Sequence, residues 1–353
     1  MSSPSTTQIR LSIIATFGVL TTACVHSQAH TAAPAARQAV QWVDSNGYAN
    51  RRVRLDDADI HVIEYGGRGP ALVFLAGLGN SAHVFDEFAL RFTDAYRVIA
   101  LTRRGYGESS KPAGGYDTRR LSDDVIAVLD SLGVERAILV GHSVAGDELT
   151  DVASRAPHRV AGLVYLDAAY DRSSTTKRLI AMAATGSLPP TPPKPNGREK
   201  SSPEAYRSYL ARIYGVTWPA SEVLATRAFD ATGEYRRDVA APGTNLAIMH
   251  GETAPQYSRI RAPVLAIYAV ERTAEQDYPW IHTLVVGRGK AELQASRALL
   301  AERAWEAAER RRLRTALPNA RVVELAGASH YVFVSNADRV EQEMTQFFGA
   351  LDR

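Results

Sequence analysis

Ala137-Ile138-Leu139-Val140-Gly141-His142-Ser143-Val144-Ala145-Gly146 is the stretch on which the reading of this chain turns. Four apolar residues, as a buried strand carries, end abruptly at a serine flanked by small side chains, the pattern of a strand that bends straight into a helix. A serine hydroxyl is a weak nucleophile until a neighbouring base activates it. A tight strand-to-helix turn carries its oxygen clear of the sheet and leaves the next backbone amide, that of Val144, free to donate to an oxyanion. Ser143 is therefore the candidate nucleophile, set against the plain alternative of a buried turn serine. Context favours the nucleophile. Upstream, Leu121, Val125, Val128, Leu129 and Leu132 recur at helical spacing and stop at Gly133, a natural helix C-cap. Downstream, residues 160–166 read as a second fully buried strand.

Working outward, short apolar strands at 71–76, 96–101, 136–140 and 160–166 alternate with helical segments. That alternation predicts parallel strands joined by right-handed crossovers, hence an α/β fold with a doubly wound, mostly parallel sheet whose functional residues gather at the strands' carboxyl ends. Residues 51–54 and 59–66 alternate as a surface hairpin does, with 56–58 as its turn. The next clear strand, 263–269, lies much further along than an ordinary loop reaches. Between them, the prolines of 188–195 exclude helix and inner strand, because proline lacks the donor and fixes φ. Helical patterns at 203–214 and 219–229 flank that run. The expectation is a helical cap, residues 170–260, inserted after the strand that follows the serine turn and separating the core into 37–169 and 261–353. A long helix at 291–314, a strand at 321–326 and an amphipathic helix bearing Val340, Met344, Phe347, Phe348 and Leu351 close the fold.

Composition sets the outer bounds. The chain has 353 residues, 45% hydrophobic and 22% charged, with a net charge of +3, which suits one large domain with an insertion. Its densest basic run, Arg310, Arg311, Arg312 and Arg314, follows interspersed alanines and glutamates and reads as a solvated helix face. No basic patch is interleaved with stacking aromatics, so nucleic acid is not an expected partner. At the amino terminus, Arg10 precedes an apolar stretch, 11–19, and then Leu20-Thr21-Thr22-Ala23-Cys24. That segment is too short to span a bilayer and reads as an export signal. Cys24, the only cysteine in the chain, follows a small residue and resembles a bacterial lipoprotein processing site. The alternative is cleavage a few residues later, after Ala29, with Cys24 discarded. Either reading makes residues 1–36 the signal and tether of an exported protein, periplasmic or at the outer surface; one acyl chain on Cys24 would anchor it to a membrane without spanning it.

The chain resembles the α/β-hydrolase superfamily from about residue 51 to the C-terminus, cap excluded. Besides the serine turn, Phe74-Leu75-Ala76-Gly77-Leu78-Gly79-Asn80-Ser81 is similar to the family's oxyanion loop, with Ala76 where a histidine is often found. Thr102-Arg103-Arg104-Gly105-Tyr106-Gly107-Glu108-Ser109 is similar to its R-G-x-G-x-S turn, and Gly327-Ala328-Ser329-His330 follows the last strand, where the family keeps its histidine. The resemblance implies the chain order serine, acid, histidine. Among nine histidines, only His330 stands just beyond a buried strand on a small-residue turn after both other members. His26 and His30 lie in the leader or tether, His61 and His83 precede the serine, His142 is expected to project away from the turn, His158 precedes the next strand end, and His250 and His282 fall in insertions.

The acid stays open between two positions. The family most often places it after the penultimate strand, where this chain reads Ala269-Val270-Glu271-Arg272, with arginine at the aspartate's position. Some lipases of the superfamily carry it one strand earlier, where Asp167 closes Leu163-Val164-Tyr165-Leu166-Asp167. Asp167 is the preferred candidate, Glu271 the alternative, and Asp171 or Asp277 a further choice. The chemistry that the resemblance implies is acyl transfer to water, with His330 as base, Ser143 as nucleophile and the amides of Val144 and Leu78 holding the oxyanion. No cofactor is implied, and no histidine spacing suggests a metal site. Serine at 143 excludes the dehalogenase and epoxide-hydrolase chemistry of related chains, which needs an aspartate there. Esterases, lipases, thioesterases, C–C hydrolases, aminopeptidases and perhydrolases remain, all acting on a small acyl substrate. Tyr206, Tyr209, Tyr214 and Trp218 of the cap suggest an apolar, aromatic-lined pocket or, equally, cap packing. A peptidase would need a cap acid for the substrate amine, with Glu204, Glu222 and Glu252 as candidates. A non-catalytic exported binding lipoprotein on the same scaffold is the alternative from another class.

Overall fold

The computed structural model describes residues 40–43 and 47–351, with side chains from residue 47 onward. The export segment, Cys24 and the tether lie outside the described residues. Strands β1 (Val40–Val43), β2 (Ala49–Arg54) and β3 (Asp59–Gly66) form an antiparallel meander at one edge of the sheet. It continues through β4 (Ala71–Leu75), β5 (Arg97–Thr102), β6 (Ala137–His142) and β7 (Val160–Leu166). After a short hairpin of β8 (Arg227–Phe229) and β9 (Tyr235–Asp238), strands β10 (Val264–Val270) and β11 (Arg321–Ala326) complete it. The nine-stranded sheet has the order β1-β2-β3-β5-β4-β6-β7-β10-β11, with every pairing parallel from β5 to β11. The serine turn, between β6 and the helix Ala145–Arg155, therefore stands near the middle of the parallel block.

The central strands are buried end to end, as β4, β6 and β10 all are, which is why they read as unbroken apolar runs. One face carries a cluster that includes Phe74, Phe85, Phe333 and Phe348, the Phe85 and Phe333 rings lying 4.8 Å apart. The other carries Val73, Leu75, Leu149 and Tyr165. Burying a side chain of this size contributes about 1.5–3 kcal/mol. Between β5 and the helix Thr118–Ser131, the Arg104 side chain is wholly enclosed: Nε donates to Asp124 Oδ2 at 2.6 Å and Nη1 to Asp57 Oδ2 at 3.0 Å. A guanidinium without water needs such carboxylates on both edges.

The insertion departs from the expected all-helical cap. Helices Thr175–Ala184, Pro203–Tyr214, Ala220–Thr226 and Thr244–His250 are present, but the helical pattern at 219–229 breaks, and its last three residues are β8, paired antiparallel with β9. The break falls at Arg227, whose φ of −127° and ψ of 134° begin the strand. Residues 189–195 take no regular structure, as their prolines demand, and Gln294 Nε2 anchors the run by donating to Leu188 O at 3.0 Å. The helix Arg288–Ala316 is longer than its sequence pattern suggested. Its basic run is not simply solvated: Arg310 lies 3.3 Å from Glu324 on β11. No helix among the described residues is long and apolar enough to cross a membrane.

Candidate active site

The turn after β6 places Ser143 in the left-handed region, φ 55°, a conformation that costs a non-glycine residue about 1–3 kcal/mol and persists only where its surroundings enforce it. Two flanking contacts do so: Ser143 N–H donates to Leu166 O on β7 at 3.2 Å, and Gly146 N–H returns to Ser143 O at 3.0 Å. Gly146 has to be glycine because a β-carbon there would meet Ala168 O at 2.2 Å. Among the described non-glycine residues only Ser143, Asp167 (φ 48°) and Glu271 (φ 54°) have positive φ. They follow β6, β7 and β10, three neighbouring strands, so the sheet ends in a row of equivalent strained turns.

After β4 the chain folds over the serine turn as Ala76, Gly77, Leu78 and Gly79. A β-carbon on Gly77 would stand 2.7 Å from His142 Nδ1, which shows how closely this loop covers the turn. Arg103 braces it from behind: Nη2 donates to Ala76 O at 2.9 Å and Nη1 to Gly77 O at 3.3 Å, while Nε bonds the buried Glu148. With those carbonyls held, the amides of Leu78 and Val144 donate to no acceptor among the described residues.

His330 follows β11 on a turn that Gly327 N–H ties to Val270 O at 2.8 Å. Its Nδ1 lies 2.7 Å from Asp167 Oδ2. Since a carboxylate only accepts, Nδ1 carries a proton, which in the neutral ring leaves the lone pair on Nε2. Asp167 is 1% exposed, and burial by itself would raise its pKa. Opposing that are the bond and charge of His330, the charge of Arg272 and the hydrogen bond of Tyr170, which together hold the carboxyl below its usual range. The contacts are short: Tyr170 O–H donates to Asp167 Oδ1 at 2.6 Å, Ala269 N–H stands 3.3 Å from the same oxygen, and Arg272 Nη1 lies 3.6 Å from Oδ2.

Of the two candidate acids, then, Asp167 meets His330. Glu271 is exposed and makes no bond to His330 among the described residues. Asp277 instead takes Arg272 Nε at 2.7 Å, and Asp171 caps its own loop by accepting from Ser173 N–H at 3.0 Å. Tyr170 and Arg272 were not singled out as site residues by the sequence, although an arginine at the family's acid position was the visible anomaly. His142 corrects another expectation. Instead of projecting away, its ring packs 4.6 Å from that of His330, and its Nε2 donates to His330 O at 3.1 Å. Burial drives its pKa well below the ordinary value, so it stays neutral and serves as a prop under His330. Ser143 and His330 border one cavity of about 410 Å³, together with Leu78, Tyr214, Trp280 and Tyr331.

Residues 72–343 match the Alpha/beta hydrolase family. The chain belongs to that family. It is 26% identical over 313 residues to the 2-(acetamidomethylene)succinate hydrolase of Mesorhizobium japonicum, covering 87% of this chain and 98% of that one. A shorter match, 40% identical over 104 residues, joins 29% of the chain to 37% of a putative non-heme haloperoxidase of Mycobacterium phage D29. A crystal structure of E-2-(acetamidomethylene)succinate hydrolase superposes with a TM-score of 0.63 at 24% identity, over 86% of this chain and 99% of the other, and shows the shared fold.

In this hydrolase the insertion is tied to the loop after β4 through Glu222, on the helix Ala220–Thr226. Its Oε1 accepts from Asn80 Nδ2 at 2.9 Å and from Ser81 N–H at 3.2 Å, with the Ser81 hydroxyl on Oε2. Tyr331 O–H, next to His330, donates to Asn80 Oδ1 at 3.1 Å and joins the histidine turn to the same network. Complete burial outweighs these donors and pushes the Glu222 carboxyl up to about 7. The cap aromatics divide: Tyr214 and Trp218 border cavities, whereas Tyr206 stacks on Tyr235 at 4.1 Å and Tyr209 packs beside it.

Proposed function

We propose that this hydrolase cleaves carboxylic esters or closely related acyl bonds through an acyl-enzyme formed on Ser143. His330 Nε2 takes the serine proton as Oγ attacks the carbonyl carbon. The tetrahedral oxyanion is held by the amides of Val144 and Leu78, and its collapse expels the alcohol, which His330 protonates. Water then attacks the acyl-serine with His330 again as base, and the acid leaves. Asp167 keeps the imidazole in the Nδ1–H tautomer and offsets its positive charge in both half-reactions.

The observation that carries this reading is the 2.7 Å contact of His330 with a wholly buried carboxylate beside a cavity that Ser143 borders from a strained turn. The peptidase reading loses one of its cap acids, because Glu222 already accepts from Asn80 and Ser81 and has no free oxygen for a substrate amine.

A fluorophosphonate probe and a p-nitrophenyl ester panel of rising acyl length test the proposal. The wild type should label and turn over, and Ser143→Ala should lose labelling and about 10⁴-fold or more in kcat with its melting temperature intact. A folded wild type that neither labels nor turns over any ester would favour the exported binding lipoprotein instead.

A further inference from the structure

Beside the main cavity lies a second chamber of about 170 Å³, and Leu78, Tyr214 and Tyr331 border both. Its lining includes Gly79 of the oxyanion loop, Tyr106, Asn245 and Arg227. Arg227 is the first residue of β8, at the point where the cap helix gives way to the hairpin, and its side chain is only 12% exposed. A guanidinium so placed calls for anionic partners along its edges. It has one, and that one is incomplete. Asp238, paired with it across the hairpin, approaches Nε at 3.1 Å but is itself 59% exposed, and the Nε–H is not aligned with it as a hydrogen bond. Nη1 donates to the adjacent Thr226 O at 3.1 Å, and Nη2 has no acceptor among the described residues. Glu222, the other nearby carboxyl, is engaged by Asn80 and Ser81. An outer hollow of about 570 Å³ shares Asp238, Ala240 and Asn245 with this chamber and adds two cations, Lys111 and Arg237, at its rim.

We propose that this chamber is a carboxylate subsite: the substrate carries an anionic group in its acyl part, which Arg227 holds while the ester carbonyl lies against Ser143. The geometry provides a donor fork one wall away from the oxyanion loop, and a basic approach that draws anions toward it. The inference rests on the acyl-hydrolase reading, and it deepens that reading from "apolar acyl substrate" to an acyl group with a charged end.

The test compares monomethyl glutarate and monomethyl adipate with the neutral methyl valerate and methyl hexanoate, following acid release at constant pH. Wild type should favour the anionic esters in kcat/KM by about ten-fold or more, the range of a charge-assisted hydrogen bond. Arg227→Gln should abolish that preference through KM while leaving the neutral esters close to wild type. Asp238→Asn, which removes the competing carboxylate, should strengthen it. A merely structural Arg227–Asp238 pair would make both variants fail alike on all four esters, and that result, or a wild type indifferent to the charge, overturns the subsite. Calorimetric binding of glutarate to wild type and Arg227→Gln reads the subsite without turnover: loss of binding in the variant upholds it, and equal or absent binding overturns it. Absence of turnover on every ester counts instead against the hydrolase reading.

Discussion

Asp167 ionises in a place where burial alone would keep it neutral, and it does so because three separate segments favour its charge: His330 after β11 and Tyr170 further along its own turn donate hydrogen bonds, and Arg272 after β10 adds a nearby positive charge. Asp167→Asn keeps the shape but offers His330 an amide that cannot fix the tautomer, so kcat should fall by about 10⁴-fold. Glu271→Gln, exposed and away from the imidazole, should leave kcat unchanged; a comparison of the two variants on one p-nitrophenyl ester decides, and a collapse in the second alone would move the acid to β10. The positions of Ser143 and His330, on turns just after strands, were legible in the chain because each is announced by its immediate neighbours: a strand end, small residues and a tight turn. The carboxylate that meets His330 was legible only as a choice between Asp167 and Glu271. It depends on which of them faces a ring far along the chain, 163 positions away for Asp167, and no local pattern encodes that. Arg272, an apparent gap in the motif, has its meaning only in space, where it lends its charge to the carboxylate that the neighbouring strand supplies.

At the scale of elements, the helix Ala220–Thr226 is joined to the loop after β4 through one buried side chain, Glu222. Folding raises the Glu222 pKa from 4.5 to about 7, so the fold favours the protonated form. That contribution is complete below the unfolded value of 4.5 and is lost as pH climbs through about 7. Wild type should therefore lose melting temperature between about pH 5 and pH 8, and Glu222→Gln, which cannot titrate, should lose distinctly less; parallel curves for the two proteins would show that the carboxyl is not the titrating group. The core strands could be read from the chain to within a residue or two because burial on both faces makes them uniformly apolar. The cap was less legible. Its hairpin continues a helical pattern without a break in composition, and the switch at Arg227 is decided by pairing with β9, a tertiary matter. His142 was misjudged for the same reason: its neighbour in space, His330, is remote in sequence.

Across the whole molecule, the charge network around Arg104 joins the antiparallel edge to the parallel block, since Asp57 precedes β3 and Asp124 lies on the helix that comes after β5. Arg104→Ala would strand Asp124 without its main counter-ion, and urea unfolding should show a loss of about 3–5 kcal/mol; a cost below about 1 kcal/mol would mean that water replaces the guanidinium. The rim of the main cavity carries a different consequence. Pro189, Pro190 and Pro192 border it, and the carbonyl of Pro189 already faces Gln294. Imide nitrogens bear no hydrogen, so these three residues offer an anion no backbone donor. If the neighbouring chamber holds a carboxylate as proposed above, a lopsided guest would find a donor fork at Arg227 and none along the prolines, so its charged end would choose β8 and its greasy tail the proline bank.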